Sequence, residues 1–180
     1  MGTDAEVRAA QVRLVILDVD GVMTDGRLHF GPQGEALKVF DVRDGLGVKL
    51  LREAGITVAI LSSRRSEIVD ARARELGITH VIQGEADKHA GFERLLSATG
   101  TTPAQCAFMG DDWPDLKVLA RVGLAAAVAD AAPEVRRVAH WQAPAAGGRG
   151  AVRQLAEFIL RAQGRFDAAL ARHSLETAGA

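Results

Sequence analysis

Asp18 and Asp20 stand two residues apart at the end of an apolar run, Leu14-Val15-Ile16-Leu17, and Gly21 lets the chain turn away behind them. Two carboxylates at a strand tip are too costly to bury unpaired, so they belong in a polar crevice or on a metal ion. Later runs end in a similar way. Ile56 to Leu61 stops on Ser62, His80 to Gln83 leads through a polar loop to Lys88, and Ala107 to Met109 ends in Gly110-Asp111-Asp112. Brought together, these groups suit phosphoryl transfer. One carboxylate can attack phosphorus and form an aspartyl-phosphate. A second, two residues on, can protonate the departing oxygen and later deprotonate water. A hydroxyl and an ammonium can hold the equatorial oxygens where transition-state charge accumulates. Asp18, Asp20, Asp111 and Asp112 would repel a phosphate dianion, and Lys88 alone does not balance them. A hard divalent cation would, and Mg²⁺ suits an oxygen-rich site shared with phosphate. His29, His80, His89, His140 and His173 are scattered, so no histidine zinc pair competes.

Such chemistry needs a scaffold that presents strand ends side by side. Continuous apolar runs bounded by turn residues read as strands buried on both faces. Between them lie stretches of helical spacing. Leu46, Val48, Leu50 and Leu51 follow Arg43-Asp44-Gly45 and stop at Gly55. Ser66 caps a helix carrying Ile68, Val69, Ala73 and Leu76, and Pro114 opens another with Leu116, Val118 and Leu119. Further strands are expected at Leu124 to Val128 and Ala139 to Trp141, with helices over Pro133 to Val138 and Val152 to Leu160. Arg27 to Phe40 reads instead as a hairpin turning at Gly31-Pro32-Gln33-Gly34. Its apolar residues need another surface, because two strands are marginal alone. The alternation predicts an α/β fold, a Rossmann-like three-layer sandwich with a mainly parallel sheet. Ligands then sit outside the carboxyl ends of the strands, where strand order reverses.

A chain of 180 residues, 48% of them hydrophobic, can bury one core. The expectation is a single domain over 1–180, its core at about 12–163 and its tail, from about 169 to 180, frayed. A net charge of -1 gives no pull toward nucleic acid or an anionic membrane. Cys106 is the single cysteine and reads as a small buried residue in a reducing compartment. No window reaches the ~18 apolar residues of a membrane span, and Met1 to Gln11 lacks the apolar core of a signal peptide. The expected location is the cytoplasm.

At the strand-end residues the chain resembles the haloacid dehalogenase-like phosphatases. Their pattern is Asp-x-Asp, then Ser or Thr, then a lone Lys, then an acidic pair. Here it is Asp18-Val19-Asp20-Gly21, Ser62, Lys88 and Gly110-Asp111-Asp112-Trp113-Pro114-Asp115, over roughly Arg13 to Asp130. The resemblance implies that Asp18 is the nucleophile and Asp20 the general acid/base. Ser62, Ser63 and Lys88 would hold phosphate, though Ser63 stands where glycine is frequent. Asp18, the backbone carbonyl of Asp20 and Asp111 would hold Mg²⁺, with Asp112 or Asp115 nearby. The intervals between motifs leave no room for a cap domain, so the hairpin projects beside an open site. Asp25-Gly26, Gly34-Glu35-Ala36-Leu37-Lys38, Val42-Arg43-Asp44-Gly45, Leu76 to His80 and Gly147 to Arg153 resemble the capless members that act on sugar acid phosphates. That likeness, reaching to about Leu160, implies a homotetramer whose neighbours complete each site and a small sugar phosphate as substrate, on the route to lipopolysaccharide. It leaves open an eight-carbon or a nine-carbon sugar acid.

Taken singly, several of these residues have plainer readings. Ser62 would cap a helix, Lys88 would be a surface lysine, Asp112 would cap the turn at Pro114, and Asp115 would favour a helix N-terminus. Arg64 is a surface charge or the partner of a substrate carboxylate. Gly147 to Gly150 is a flexible linker or a reach into a neighbouring site that brings Arg149 to substrate. Two other classes compete with the enzyme. A non-catalytic oligomerisation domain would have no need of intact Asp18, Asp20, Lys88 and Asp111. A phosphoacceptor receiver would place its acidic pair first and its acceptor aspartate later, the reverse of the order here.

Overall fold

Leu14, Val15, Ile16 and Leu17 lose all contact with solvent because their strand lies inside a six-stranded sheet covered on both faces. The computed structural model describes residues 2–173. In chain order the elements are α1 (Asp4–Ala9), β1 (Leu14–Leu17), β2 (His29–Gly31), β3 (Gly34–Leu37), α2 (Val42–Glu53), β4 (Thr57–Leu61), α3 (Glu67–Leu76) and β5 (His80–Ile82). There follow α4 (Lys88–Thr99), β6 (Cys106–Gly110), α5 (Leu116–Leu119), β7 (Leu124–Ala127), α6 (Pro133–Val138), β8 (Trp141–Gln142), α7 (Ala151–Ala162) and α8 (Phe166–Ala171).

The sheet order is β5-β4-β1-β6-β7-β8, and every pairing is parallel. The chain moves outward from β1 through β4 to β5, then returns to the other side of β1 and moves outward again from β6. Right-handed crossovers therefore put α2 and α3 on one face and α4, α5 and α6 on the other. The packing agrees, with α2 against α7 and α3, α1 against α7, and α5 against α4 and α6. Strand order reverses between β1 and β6, and an open α/β sheet binds ligands in the crevice outside that point.

Local chemistry explains most boundaries. Asp41 accepts a hydrogen bond from the Arg43 backbone at 2.7 Å, so α2 starts ahead of the expected Arg43-Asp44-Gly45. Ser66 holds the cap position of α3, yet its hydroxyl makes no capping bond; its backbone N–H instead donates to Gln83 Oε1 at 2.9 Å. Helix α1 is absent from the sequence reading although Thr3 and Glu6 form a reciprocal capping box, with bonds of 3.3 Å and 2.6 Å. Asp44, buried in α2, accepts from the backbone of Gly150 at 3.2 Å and Arg153 at 2.8 Å. A carboxylate on one helix thus caps the next one packed against it, and a charge there suits the positive end of α7. Trp141 stacks on Phe158 at 5.1 Å and ties the edge strand β8 to α7.

Two expectations are corrected. The tail does not fray at 169, because Ala169 is buried in α8; residues 174–180, Glu176 among them, lie outside the described residues. Of the two readings of Gly147 to Gly150, the slack linker does not hold, and the loop before it is tied down as well. Ala145 donates to Gln154 Oε1 at 2.9 Å, Gly147 to Asp130 Oδ1 at 3.0 Å and Gly148 to the Val22 carbonyl at 2.9 Å. Cys106 is buried at the start of β6, as its plain reading holds. Among the described residues, no helix is long and apolar enough to cross a membrane.

Candidate active site

A crevice of ≈ 340 Å³ opens outside the carboxyl ends of β1, β4 and β6 and gathers Asp18, Asp20, Ser62, Ser63, Arg64, Lys88, Asp111, Asp112 and Asp115. Asp18 leaves β1 with its backbone N–H still bonded to the Met109 carbonyl of β6, at 3.1 Å. Ser62 and Ser63 follow β4, and the Ser62 hydroxyl accepts from the Arg64 backbone at 3.3 Å. Lys88 is the first residue of α4, and its buried ammonium lies 2.9 Å from Asp18 Oδ1 and 2.5 Å from Asp115 Oδ1. This lysine is therefore no surface charge. Asp115 also exceeds its plain reading: it is buried, and its second oxygen accepts from the backbone of Asp111 at 2.9 Å and Asp112 at 3.3 Å. It shapes the loop that presents Asp111. Asp112 is exposed at the cap position of the turn at Trp113 to Asp115 and also lines the crevice.

The loop after Asp18 depends on two glycines. Gly21 has φ +93°, and a Cβ there would lie 2.1 Å from Asp111 Oδ2, so the Asp111 carboxylate can approach only a bare backbone. Behind it, a Cβ on Gly147 would meet the Gly21 carbonyl oxygen at 1.8 Å and the Thr24 carbonyl at 3.0 Å. Backbone cannot yield as a side-chain tip can. Gly147→Ala is therefore expected to cost about 1–3 kcal/mol of stability and to lower kcat by displacing the Gly21 turn. Thermal melts together with turnover check it, and an unchanged melt would remove the buttress from the account.

The crevice carries more negative charge than its lysine neutralises. Burial first, then the nearby Asp115, pushes the Asp18 carboxyl up to about 6 against the opposing pull of Lys88. Burial, then Asp18 and Asp115, pushes Asp111 up to about 8. Oxygens of Asp18, Asp111 and Asp115 lie within 4.8 Å of one another, a donor set of the hard kind that Mg²⁺ takes. Since both Asp115 oxygens are engaged, Asp18 and Asp111 are the carboxylates with oxygen to spare.

Asp20 faces elsewhere. One of its oxygens is in contact with the Lys38 ammonium, and the other lies 3.3 Å from Arg64 Nε. Glu35 completes the group, 2.9 Å from Lys38 and 3.2 Å from Arg64 Nη2. Glu35 and Lys38 stand in the segment Gly34 to Lys38 that carries part of the family resemblance, but neither was given a role from the sequence. The local signal was faint: two opposite charges three residues apart, with apolar Leu37 and Val39 flanking the lysine. Arg149 stays outside this crevice. Its guanidinium is 3.7 Å from Asp25 of its own chain, and its side chain is 66% exposed.

Strand order, an Asp-x-Asp tip at the switch point and a buried lysine between carboxylates define a haloacid dehalogenase-like hydrolase, and residues 40–123 match that family's model. The chain is 48% identical to the 3-deoxy-D-manno-octulosonate 8-phosphate phosphatase of Yersinia pestis, covering 92% of this chain and 89% of that one. It is 43% identical to the enzyme of the same name from Escherichia coli K12, over 94% and 90%. The structure of the Moraxella catarrhalis phosphatase of that name, in complex with magnesium, phosphate and KDO, superimposes with a TM-score of 0.92 at 39% identity, over 95% of this chain and 98% of that one. The chain belongs to the 3-deoxy-D-manno-octulosonate 8-phosphate phosphatase family of these hydrolases.

Proposed function

We infer that this protein is a Mg²⁺-dependent phosphomonoesterase that converts 3-deoxy-D-manno-octulosonate 8-phosphate to Kdo and inorganic phosphate, in the synthesis of the lipopolysaccharide sugar. The observation that carries the reading is Asp18, held at 2.9 Å by Lys88 beside Asp111 in an uncapped crevice, in a chain so similar to that family. In the first step an Asp18 oxygen attacks phosphorus, the bond from phosphorus to the sugar C8 oxygen breaks, and Asp20 gives that oxygen its proton. In the second, Asp20 takes a proton from water, the water oxygen attacks phosphorus, and the Asp18 carboxylate leaves with phosphate as product. Lys88, Ser62 and Ser63 bind the phosphoryl oxygens. Asp18, Asp111 and the Asp20 backbone carbonyl would hold Mg²⁺, which would supply positive charge to offset the meeting of carboxylate and phosphate. Arg64, at the crevice edge, offers its guanidinium to the sugar carboxylate.

Phosphate release from a panel of sugar phosphates, with Mg²⁺ and then with EDTA, tests this reading. Fast, EDTA-sensitive turnover of the octulosonate phosphate is expected. Preference for a nine-carbon sugar acid 9-phosphate would move the substrate and keep the chemistry. A folded, Mg²⁺-loaded protein that turned over nothing would leave an assembly domain.

The assembly we propose is a homotetramer in the cytoplasm whose neighbours complete each site and bring Arg149 toward substrate. The support is the hairpin, which presents Leu28, Phe30, Leu37 and Val39 to solvent in the single chain, Phe30 at 65% exposure, beside an exposed Val42 at the start of α2. An apolar patch of this kind marks an interface. Phe30→Glu is expected to yield smaller particles by light scattering and to lower kcat/KM. A tetramer of unchanged mass would turn the hairpin to another role.

A further inference from the structure

Lys38 is the odd residue of the hairpin. Leu37 and Val39 on either side are exposed, whereas the Lys38 side chain is 2% exposed, turned in toward the catalytic loop. Burying an ammonium carries a desolvation penalty, and an apolar side chain of similar size would fill the same space at lower cost. Its contacts are two carboxylates, Asp20 and Glu35. The second of these also accepts from Arg64 Nη2 at 3.2 Å, and despite burial its carboxyl is held below the usual range by Ser66, Lys38 and Arg64. Asp20, Glu35, Lys38 and Arg64 thus form one group of four charges whose signs cancel. Folding alone does not call for it.

The two cations on Asp20 are held differently. Arg64 is 41% exposed at the crevice, and its Nε, though close to Asp20, makes no well-formed hydrogen bond. Its Nη2 donates to Glu35 Oε1 at 3.2 Å from the solvent side of the group. Lys38 is sealed beneath and backed by Glu35. Asp20 also lies outside the cluster formed by Asp18, Asp111 and Asp115. Each catalytic carboxylate therefore has its own buried lysine, Lys88 for Asp18 and Lys38 for Asp20.

We propose that Lys38, steadied by Glu35, is a positioning residue that fixes one oxygen of Asp20 and keeps its carboxylate away from the nucleophile and the cation-binding oxygens, leaving the other oxygen to serve the departing sugar oxygen. The inference rests on Asp20 being the general acid of the reaction proposed above. It does not give Lys38 any contact with substrate. A few tenths of an ångström of freedom at Asp20 costs rate, because proton transfer needs the donor within hydrogen-bond reach of the leaving oxygen.

The test compares leaving groups. A sugar alkoxide needs a proton to depart, whereas p-nitrophenolate departs without one. Single-turnover release of the leaving group is measured for the full chain with Mg²⁺, since the later hydrolysis of the aspartyl-phosphate needs Asp20 with either substrate. Lys38→Met is expected to slow release from the octulosonate phosphate by about 10²-fold or more, with KM within about threefold and the p-nitrophenyl phosphate step nearly unchanged. Lys38→Arg is expected to recover part of the loss. Glu35→Gln, which keeps the side chain's shape, is expected to show a smaller loss with the same selectivity and serves if Lys38→Met does not fold. Equal losses on the two substrates, or a rise in KM alone, would overturn the proposal. Asp20→Asn in parallel separates the two levels. If it shows the leaving-group selectivity and the hairpin variants do not, Lys38 is acquitted and Asp20 stands. If it shows none, the role of Asp20 falls and the proposal falls with it.

Discussion

Asp18→Asn is expected to yield a folded protein whose release of phosphate falls by about 10⁴-fold or more. The amide matches the carboxylate in shape, but its neutral oxygen is too weak a nucleophile to attack phosphorus, so the route through an aspartyl-phosphate is closed. Stability is expected to hold or rise at neutral pH. The Asp18 carboxyl is pushed up to about 6 by burial and by Asp115, which means that its charge costs the folded state more than Lys88 returns. Losing activity without losing stability is the signature of a group placed for chemistry at the fold's expense. Thermal melting and turnover of the same preparation decide it. A variant that melts far below the parent would make Asp18 structural, and one that kept a tenth of the parent rate would move the nucleophile elsewhere.

The second large effect is that of Mg²⁺, and its sign depends on pH. Without metal, the folded carboxyls of Asp18 and Asp111 sit at about 6 and about 8, against an ordinary value of 3.8. The folded chain therefore binds more protons than the unfolded one across that window, and stability falls as pH rises through it. This contribution is fully present below about pH 4 and lost above about pH 8. A cation binds the ionised carboxylates and displaces those protons. The rise in Tm on adding Mg²⁺ is accordingly expected to be small near pH 5.5 and largest near pH 8.5, where the ion at a hundred times its Kd stabilises the fold by about 2.7 kcal/mol. Subtracting melts with and without Mg²⁺ at each pH cancels the other carboxylates, several of which titrate the opposite way. A flat or falling increment would place the ion away from Asp18 and Asp111. EDTA is expected to abolish turnover at every pH.

Most of this site was legible because its parts fall where local pattern is strong. Leu14 to Leu17 and Ile56 to Leu61 are unbroken apolar runs, and a polar residue at the tip of such a run stands out. Lys88 and Asp111 were placed by their position after strands, and the structure brings both to Asp18. What could not be read is which way a charge turns when its element leaves the sheet. In β3 and the residues after it, alternation sets Leu37 and Val39 opposite Lys38, and the apolar side lies open as a side that needs another surface would. Nothing in the alternation says that the lysine side lies on an acidic loop. Asp115 was underread for a related reason: nothing local distinguishes a carboxylate at a helix start from one buried against a distant lysine. Arg149 was read from resemblance, and the single chain holds it at Asp25, away from the crevice.

Every side chain of the crevice has left the ribosome by Asp115, but the chain is not finished with the site at that point. Gly147 and Gly148 must still arrive to back the turn at Gly21 against which Asp111 rests, and Gly150 must still reach Asp44. A nascent chain is therefore chemically equipped before it is mechanically set. A chain stopped between Asp115 and Gly147 would carry all the catalytic groups on a loop with no back wall, and such a fragment is expected to be inert rather than partly active.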